Sequence, residues 1–418
     1  MRSTRITVWR TAALALVSVL GLALGANPAA EAQTFTVLYS FAGYPTDGAG
    51  PEAGLLMDAS GNLFGTTTFG GNVNLTYCDD AGYTGCGTVF ELGANGVETV
   101  LHNFSGAHGD GASPVANLIM DAKGNLYGTT LAGGIGCAGE TFEGCGVVFR
   151  LSNGKETILH HFTGGSDGKW PMAGVIADPR GALYGTTYLG GKLGVGAVFK
   201  LTGKKETVLH SFTGGRRGEQ PAAGLLMDAK GSLFGTTTGG GDINCDYPAP
   251  CGIVFKLAGT KETVLHAFRG SPDGNDPVAG LVMDPAGNLY GTTVDGGTQG
   301  NLGTVFEVTQ AGKESVLYRF KREQDGFSPA GVVRDAEGNL YGTTGGGGLY
   351  GAGVAYEITV DRKEKILHTF CSGDCSDGAY PNTLIMDAKG NLYGTTAAGG
   401  ANKNGTIFMI TPAPSPSN

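Results

Sequence analysis

From Phe35 to Ile410 the chain runs in apolar stretches of about five or six residues, each bounded by Gly, Asn, Asp or Pro. The stretches recur in a fixed order. An apolar run ending in Asp is followed by a short turn, Leu-Tyr/Phe-Gly-Thr-Thr, a variable loop, Gly-x-Val-Phe, and finally Glu-x-Val/Ile-Leu-His/Tyr-x-Phe. The Gly of Gly-Thr-Thr falls at Gly65, Gly128, Gly185, Gly235, Gly291, Gly342 and Gly394, so seven units follow one another at spacings of 50 to 63 residues. Periods of this size mark propellers and solenoids. In the fifth unit the predicted strands are 280–284, 288–293, 303–308 and 262–268, the last preceding the others in sequence. Turns such as Asp284 to Asn288 have hairpin chemistry, because Gly and Asn tolerate positive φ. With 76 Gly in 418 residues, no window favours a helix.

The expected fold is therefore all-β, a seven-bladed β-propeller of four-stranded antiparallel blades occupying residues 33–411. The termini point the same way. Phe35 to Phe41 is an outer-strand segment lacking the three strands before it, and Gly405 to Ile410 is a third strand lacking its fourth. Setting the first beside the last completes the seventh blade and leaves no open edge.

These motifs resemble the bacterial extracellular tandem-repeat family named GloVer, through Asn-Leu-Tyr-Gly-Thr-Thr with trailing Gly-Gly, Gly-x-Val-Phe and Val-Leu-His-x-Phe. The strand order is similar to that of the NHL-type propeller repeat, in which the segment ending in Asp is innermost. The resemblance implies export, commonly with a cell-surface anchor after the repeats, and it brings no catalytic residues. The chain departs from that pattern by ending in Thr-Pro-Ala-Pro-Ser-Pro-Ser-Asn, without a hydrophobic sorting segment.

Residues 1–32 read as a secretory signal: Arg2, Arg5 and Arg10, an apolar run, then Ala30-Glu31-Ala32 before the expected cleavage. A Pro/Ser-rich tail covers 412–418, and no span is expected in the mature chain. Losing three Arg and one Glu with the leader takes 28 basic and 37 acidic residues to 25 and 36, a net charge of −11. Nucleic-acid binding is excluded on that balance, since phosphate contacts need a basic face. The cysteines fall into neighbouring pairs: Cys78 with Cys86, Cys137 with Cys145, Cys245 with Cys251, and Cys371 with Cys375. In a secreted chain this predicts four short disulfide loops rather than thiolate metal ligation, although Asp79 and Asp80 adjoin Cys78.

Counting strands outward from the axis, all large length variation falls in the second-to-third loops and the fourth-to-first connections. Both emerge on one face of a propeller. That elaborated face is the expected site, because binding residues concentrate on loops held by a rigid scaffold. Every fourth-to-first connection contains x-Gly-x-x-Pro, with Asp first at Asp47, Asp110, Asp167, Asp273, Asp325 and Asp377. These are either turn formers or a carboxylate ring at the channel mouth that could bind Ca²⁺. Arg217 interrupts the series beside Arg216 and Glu219, which makes it a candidate ligand contact. Arg334 interrupts a second series, the residue before the inner-strand Asp, otherwise Met57, Met120, Ala177, Met227, Met283 and Met386. It is expected to pair with an inner-strand Asp or to enter the channel.

His102, His160, His210, His266 and His368 share one outer-strand slot with Tyr39 and Tyr318, and are read as structural posts bonded to a Gly-Thr-Thr threonine. His108, beside Asp110, and His161 are irregular. Trp170 is the sole Trp after the leader and joins Tyr44, Tyr77, Tyr83, Tyr247, Phe327, Tyr350 and Tyr380 among aromatics of the elaborated face. No Gly-x-Ser-x-Gly, His-Glu-x-x-His, P-loop or dinucleotide motif is present, so no catalytic residue, resident metal or cofactor is assigned. The expectation is a secreted, monomeric, non-catalytic binding or scaffold module for a glycan or protein partner. The alternative is a secreted polysaccharide lyase or glycoside hydrolase working at the channel mouth, built from Asp110, Asp167, Asp273 and Glu219, with Arg217 neutralising an acidic sugar. Repeated acids give no reason for one to have a raised pKa.

Overall fold

A cross-strand fit explains the repeated Gly-Thr-Thr. In each blade the glycine of the second strand faces an aromatic ring of the third. A Cβ built on Gly185 would lie 2.6 Å from the Phe199 ring, and Gly65, Gly128, Gly235, Gly291 and Gly394 face Phe90, Phe149, Phe255, Phe306 and Phe408 in the same way. In the sixth blade the ring belongs to Tyr356, opposite Gly342. Residues 33–72, 78, 84–107, 109–137, 144–242, 245, 251–297, 301–321 and 323–413 are described by the computed structural model. The leader, His108, Tyr77, Tyr83, Tyr247, Asp79, Asp80 and residues 414–418 lie outside them.

The fold is a seven-bladed propeller. The third blade is representative: Ile176–Ala177 is innermost, followed outward by Leu183–Thr187, Ala197–Thr202 and Lys205–Ser211, all antiparallel. In the first six blades the outer strand follows the third strand in sequence. Lys261–Ala267 accordingly pairs with Ile253–Ala258 in the fourth blade, and the fifth blade is completed by Glu314–Arg319. The segment 262–268, assigned above to the fifth unit, is thus displaced by one blade. The seventh blade consists of Ile385–Met386, Leu392–Ala398, Thr406–Thr411 and the N-terminal Thr34–Ser40, which pairs Thr34 with Thr411 and Ser40 with Thr406.

The core lies between consecutive blades. Val198 and Phe212 of blade 3 pack with Leu225, Leu233, Ile253, Phe255 and Leu257 of blade 4, and the last interface closes with Phe41 and Ile407 against Leu55, Leu63, Phe90 and Leu92. One edge-to-face aromatic pair spans each interface, from Phe41 with Phe90 at 5.1 Å to Phe370 with Phe408 at 5.1 Å. Such pairs add about 1 kcal/mol beyond burial. The first Thr of each Gly-Thr-Thr donates to an inner-strand carbonyl of the next blade, as Thr129 to Ala173 at 3.0 Å, and Thr395 to Ala53 at 2.8 Å completes the circle. Inner-strand Asp residues close their own hairpins: Asp284 accepts from Asn288 and from the Tyr290 hydroxyl.

Fourth-to-first connections and second-to-third loops hydrogen-bond to one another, as Gly48–Ala49 with Phe69–Gly70 and Glu219 with Gly239, so the two sets do share a face. All four expected disulfides form on that face. Cys78 is bonded to Cys86, Cys137 to Cys145, and Cys245 to Cys251 in second-to-third loops, while Cys371 is bonded to Cys375 in the fourth-to-first connection of the last blade. Cys86, Cys145 and Cys251 are buried at the base of their loops, and Cys375 is partly exposed. The opposite, plain face carries the short hairpins. Among the described residues no helix is long and apolar enough to cross a membrane.

Candidate functional site

The repeated carboxylates of the elaborated face turn away from the axis. Asp377 accepts from the Cys371 amide at 3.0 Å and lies 3.0 Å from His368 Nε2; Asp273 accepts from the Arg269 amide and lies 3.1 Å from His266 Nε2. Asp167 meets Thr163 and lies 3.4 Å from His160, Asp110 meets Ser105 and lies 3.7 Å from His102, and Tyr39 and Tyr318 donate their hydroxyls to Asp47 and Asp325. The outer-strand His/Tyr slot and the Asp slot are therefore partners. This corrects the expectation that a threonine holds the histidines: the threonines are engaged with carbonyls instead. A bulge in the pairing of third and outer strands precedes this slot in every blade, between Val198 and Phe199 in blade 3 for example, and bulges re-aim side chains.

A third member comes from the next blade. Glu156, the Glu of Glu-x-Val/Ile-Leu-His/Tyr, lies 3.7 Å from His102 across the interface, and Tyr318 donates to Glu364 at 2.8 Å. Burial, reinforced by the charge of Asp110 and a hydrogen bond with it, pushes the Glu156 carboxyl up to about 8. Burial and the charge of Asp47 push Glu98 to about 7, and burial raises Glu364 to about 7 against the opposing Tyr318 bond. Glu206 and Glu314 are raised mainly by burial as well. Repeated acids thus do acquire raised pKa values here, contrary to the sequence argument. They do so at blade interfaces, away from the axis. Asp110 moves the other way: burial would raise it, but bonds with His102 and Ser105 hold it below the usual range.

Two interfaces break the pattern. Where the Asp is replaced by Arg217, the guanidinium Nη1 reaches Glu262 at 3.1 Å, and His210 lies 3.6 Å from the same carboxylate. Glu262 has a side chain only 1% exposed, whereas Arg217 is 62% exposed, so the cation neutralises a buried acid while presenting its remaining surface to solvent. At the interface of blades 6 and 7 the Glu position is Phe35, which stacks on His368 with centroids 3.7 Å apart.

The axial cavity has a volume of about 470 Å³ and is lined by the inner-strand Ala-Gly segments, such as Ala223-Gly224 and Ala279-Gly280, with Met172 and Glu52 among the flanking residues. None of Arg217, Arg334, Trp170, Asp110, Asp167, Asp273, Asp325 or Asp377 lines it. Arg334 sits at the plain-face end of its strand. It donates to the Asp335 carbonyl at 3.2 Å and lies over the Tyr290 ring at 5.7 Å, so neither expected placement holds. The structure consequently does not bring Arg217, Arg334 and an acid into one pocket.

Trp170 is half-buried on the elaborated face, with Lys169 Nζ 4.2 Å above its ring. It occupies the slot before the repeated Pro, where Ser113, Trp170, Gln220, Asp276, Ser328 and Tyr380 all hold φ of 52 to 60° and Gly50 is the seventh member. A positive φ costs a non-glycine residue energy, and such strain gathers at functional surfaces. Asp276 is raised by burial and by the neighbouring Asp295 charge. Of the exposed large apolar side chains among the described residues, nine lie on this face: Tyr44, Ile135, Met172, Leu193, Val278, Phe327, Leu349, Tyr350 and Tyr380. Only Val97, Val360 and Ile366 lie elsewhere.

Donor atoms of His102, Asp110 and Glu156, and of His266, Asp273 and Glu314, fall within 4.8 Å of one another and could surround a cation. Tyr318 fills the same position between Asp325 and Glu364 as a bridging proton donor, which accounts for the slot without a metal. The sequence signal for these triads was the repeated Glu of the outer strand, which marks a strand equally well and discloses nothing about the blade beside it.

The model of the Gloeobacter/Verrucomicrobia repeat matches residues 136–322 and 246–417. No curated protein shows significant similarity to the sequence. Among solved structures, a fungal alcohol oxidase of the AA5 family, determined with copper, is similar at 15% identity over 91% of this chain and 76% of that one, with a TM-score of 0.53. A gluconolactonase from Xanthomonas campestris is similar at 15% identity over 70% of this chain and 83% of that one, with a TM-score of 0.41. At 15% identity the likeness to the oxidase is one of fold.

Proposed function

From a chain that belongs to the Gloeobacter/Verrucomicrobia repeat family, we propose a non-catalytic extracellular binding or scaffold module that engages a glycan or protein partner through its elaborated face. The observation that carries this reading is the segregation of features. Disulfide-pinned variable loops, the six positive-φ residues before the repeated Pro and nine exposed apolar side chains share one face, and exposed apolar surface gathered in this way marks interaction sites. Four disulfides fit an oxidising compartment outside the cytoplasm. The repeated acids and histidines are engaged with one another between blades, which supports a structural use for them rather than a catalytic one.

The enzyme alternative would require an acid and a base converging on one cavity. Among the described residues lining the axial cavity, Glu52 is the only ionisable side chain. The test is binding of residues 33–418 to a glycan array, with and without calcium, and to surface proteins of the source cell, alongside Trp170→Ala and Tyr380→Ala. Selective binding lost in either variant supports the reading. Binding unaffected by both, or no binding to either class, overturns it.

A further inference from the structure

We infer that the rim of the elaborated face over blades 6, 7 and 1 binds an extended chain of uncharged sugars. The inference rests on the elaborated face being the binding face, and it names the ligand class and the part of that face which takes it.

The exposed apolar side chains of this face are sorted by kind. Every exposed aromatic ring among the described residues belongs to three consecutive blades: Phe327 and Tyr350 to blade 6, Tyr380 to the connection entering blade 7, and Tyr44 to the connection entering blade 1. The aliphatic ones lie elsewhere, Ile135 on blade 2, Met172 and Leu193 on blade 3 and Val278 on blade 5, with Leu349 beside Tyr350 as the exception. Trp170 of blade 3 is half-buried, and Lys169 covers one face of its ring.

Hydrogen bonds join the four rings into one rim. Phe327 pairs with Gly346, where a Cβ would collide with the ring, so the glycine lets the ring lie against the sheet. The loop that follows carries Tyr350, and its Ala352 carbonyl accepts from the Tyr380 amide at 2.9 Å. Beside Tyr380, Ala379 pairs with Ala398; further along that loop, the Asn402 and Asn404 side chains donate to the Phe41 and Ala42 carbonyls at 3.2 and 2.8 Å, holding the segment that bears Tyr44. The hydroxyls of Tyr44, Tyr350 and Tyr380 have no partner among the described residues, whereas those of Tyr39, Tyr290 and Tyr318 bond to carboxylates.

The face of an aromatic ring is electron-rich, and the C–H groups on the flat side of a pyranose are slightly positive, so the two stack while sugar hydroxyls meet the free Tyr hydroxyls. Rings on successive blades call for a ligand that runs from one to the next, a chain rather than a single sugar. Charge selects the neutral kind. The exposed charged side chains described on these connections and loops are Glu52, Lys321, Asp374 and Lys403, two of each sign, so neither an acidic nor a basic polymer gains net attraction. A protein partner would cover aromatic and aliphatic groups in one patch, and here they stand on different blades.

The test is affinity electrophoresis in gels that each hold one soluble polysaccharide: xyloglucan, galactomannan and a β-1,3-glucan, all uncharged, and alginate and polygalacturonate, both acidic. At least one uncharged polymer should retard the protein, and neither acidic one should. Tyr350→Ala and Tyr380→Ala, each checked for an unchanged melting temperature, should weaken that binding about tenfold. Tyr350→Phe, which keeps the ring, should retain it, as should Ile135→Ala and Trp170→Ala, which lie off the rim. Retardation by an acidic polymer or by none, binding that survives both Tyr→Ala changes, loss in Tyr350→Phe, or equal dependence on Ile135 or Trp170 would each overturn the assignment. Silence of every polysaccharide together with protein-partner binding sensitive to Trp170→Ala would reject the sugar rim while leaving the binding face standing; absence of both would reject both.

Discussion

Replacing Glu156 with Gln should flatten the pH dependence of stability. In the folded protein Glu156 is buried against Asp110 and His102 and titrates at about 8, against 4.5 for the unrestrained side chain. A folded pKa above the unfolded one means that the native state holds a proton the unfolded state has released between those two values, so stability falls as pH rises through the window. The loss from this group, complete above pH 8, is at most about 5 kcal/mol. Gln reproduces the shape of the protonated acid without titrating. Urea unfolding at pH 5, 6.5 and 8.5 should therefore show the wild type losing more stability across the range than Glu156→Gln, by on the order of 3–5 kcal/mol. Glu98 and Glu364 titrate near 7 in both proteins and cancel in the comparison. Parallel pH profiles, or a steeper one for the variant, would refute the account of Glu156 as an acid kept protonated by burial beside Asp110.

Gly185→Ala should lower the melting temperature, because its Cβ would stand 2.6 Å from the Phe199 ring; overpacking of this kind costs about 1–3 kcal/mol, and Gly181→Ala, whose Cβ meets nothing within 4 Å, serves as a control limited to backbone strain at φ +80°. Arg217→Ala leaves the buried Glu262 beside His210, whose charged form burial disfavours, and should destabilise by about 1–2 kcal/mol after allowing for the exposure of the guanidinium. Adding Glu262→Gln should restore most of that loss in thermal melts, and no rescue would count against the neutralising role. Deleting the strand Thr34–Ser40 removes the partner of Thr406–Thr411 and should yield an aggregating or protease-labile chain by limited proteolysis; a resistant monomer would contradict closure by this strand.

The propeller was legible because its defining pairs repeat in phase: the Gly of Gly-Thr-Thr, the Phe of the third strand and the Phe ending the outer strand recur together, and their period gives the blade. The disulfides were legible for a similar reason, since Cys86, Cys145, Cys251 and Cys375 each lie within one loop of their partners. The site was much less so. Each Asp of the elaborated face is followed by Gly and lies near Pro, which reads equally as a turn or as a ligand set; what decides is the His or Tyr above it and the Glu from another repeat, a partnership across an interface that local spacing does not encode. Arg217 was visible as a break in the series, but Glu262, the reason for a positive charge there, lies 45 residues away.

The pairing of Thr34 with Thr411 also decides how the disc can be held. Both strand ends stop at the plain side, one entering and the other leaving. A polypeptide joined at either terminus therefore grips the molecule from behind, like a handle fixed to the back of a dish. Tethered to a wall, a membrane or a neighbouring module, the disc would display its cystine-pinned loops and cavity mouth outward, and lengthening the tether would change its reach without turning its face.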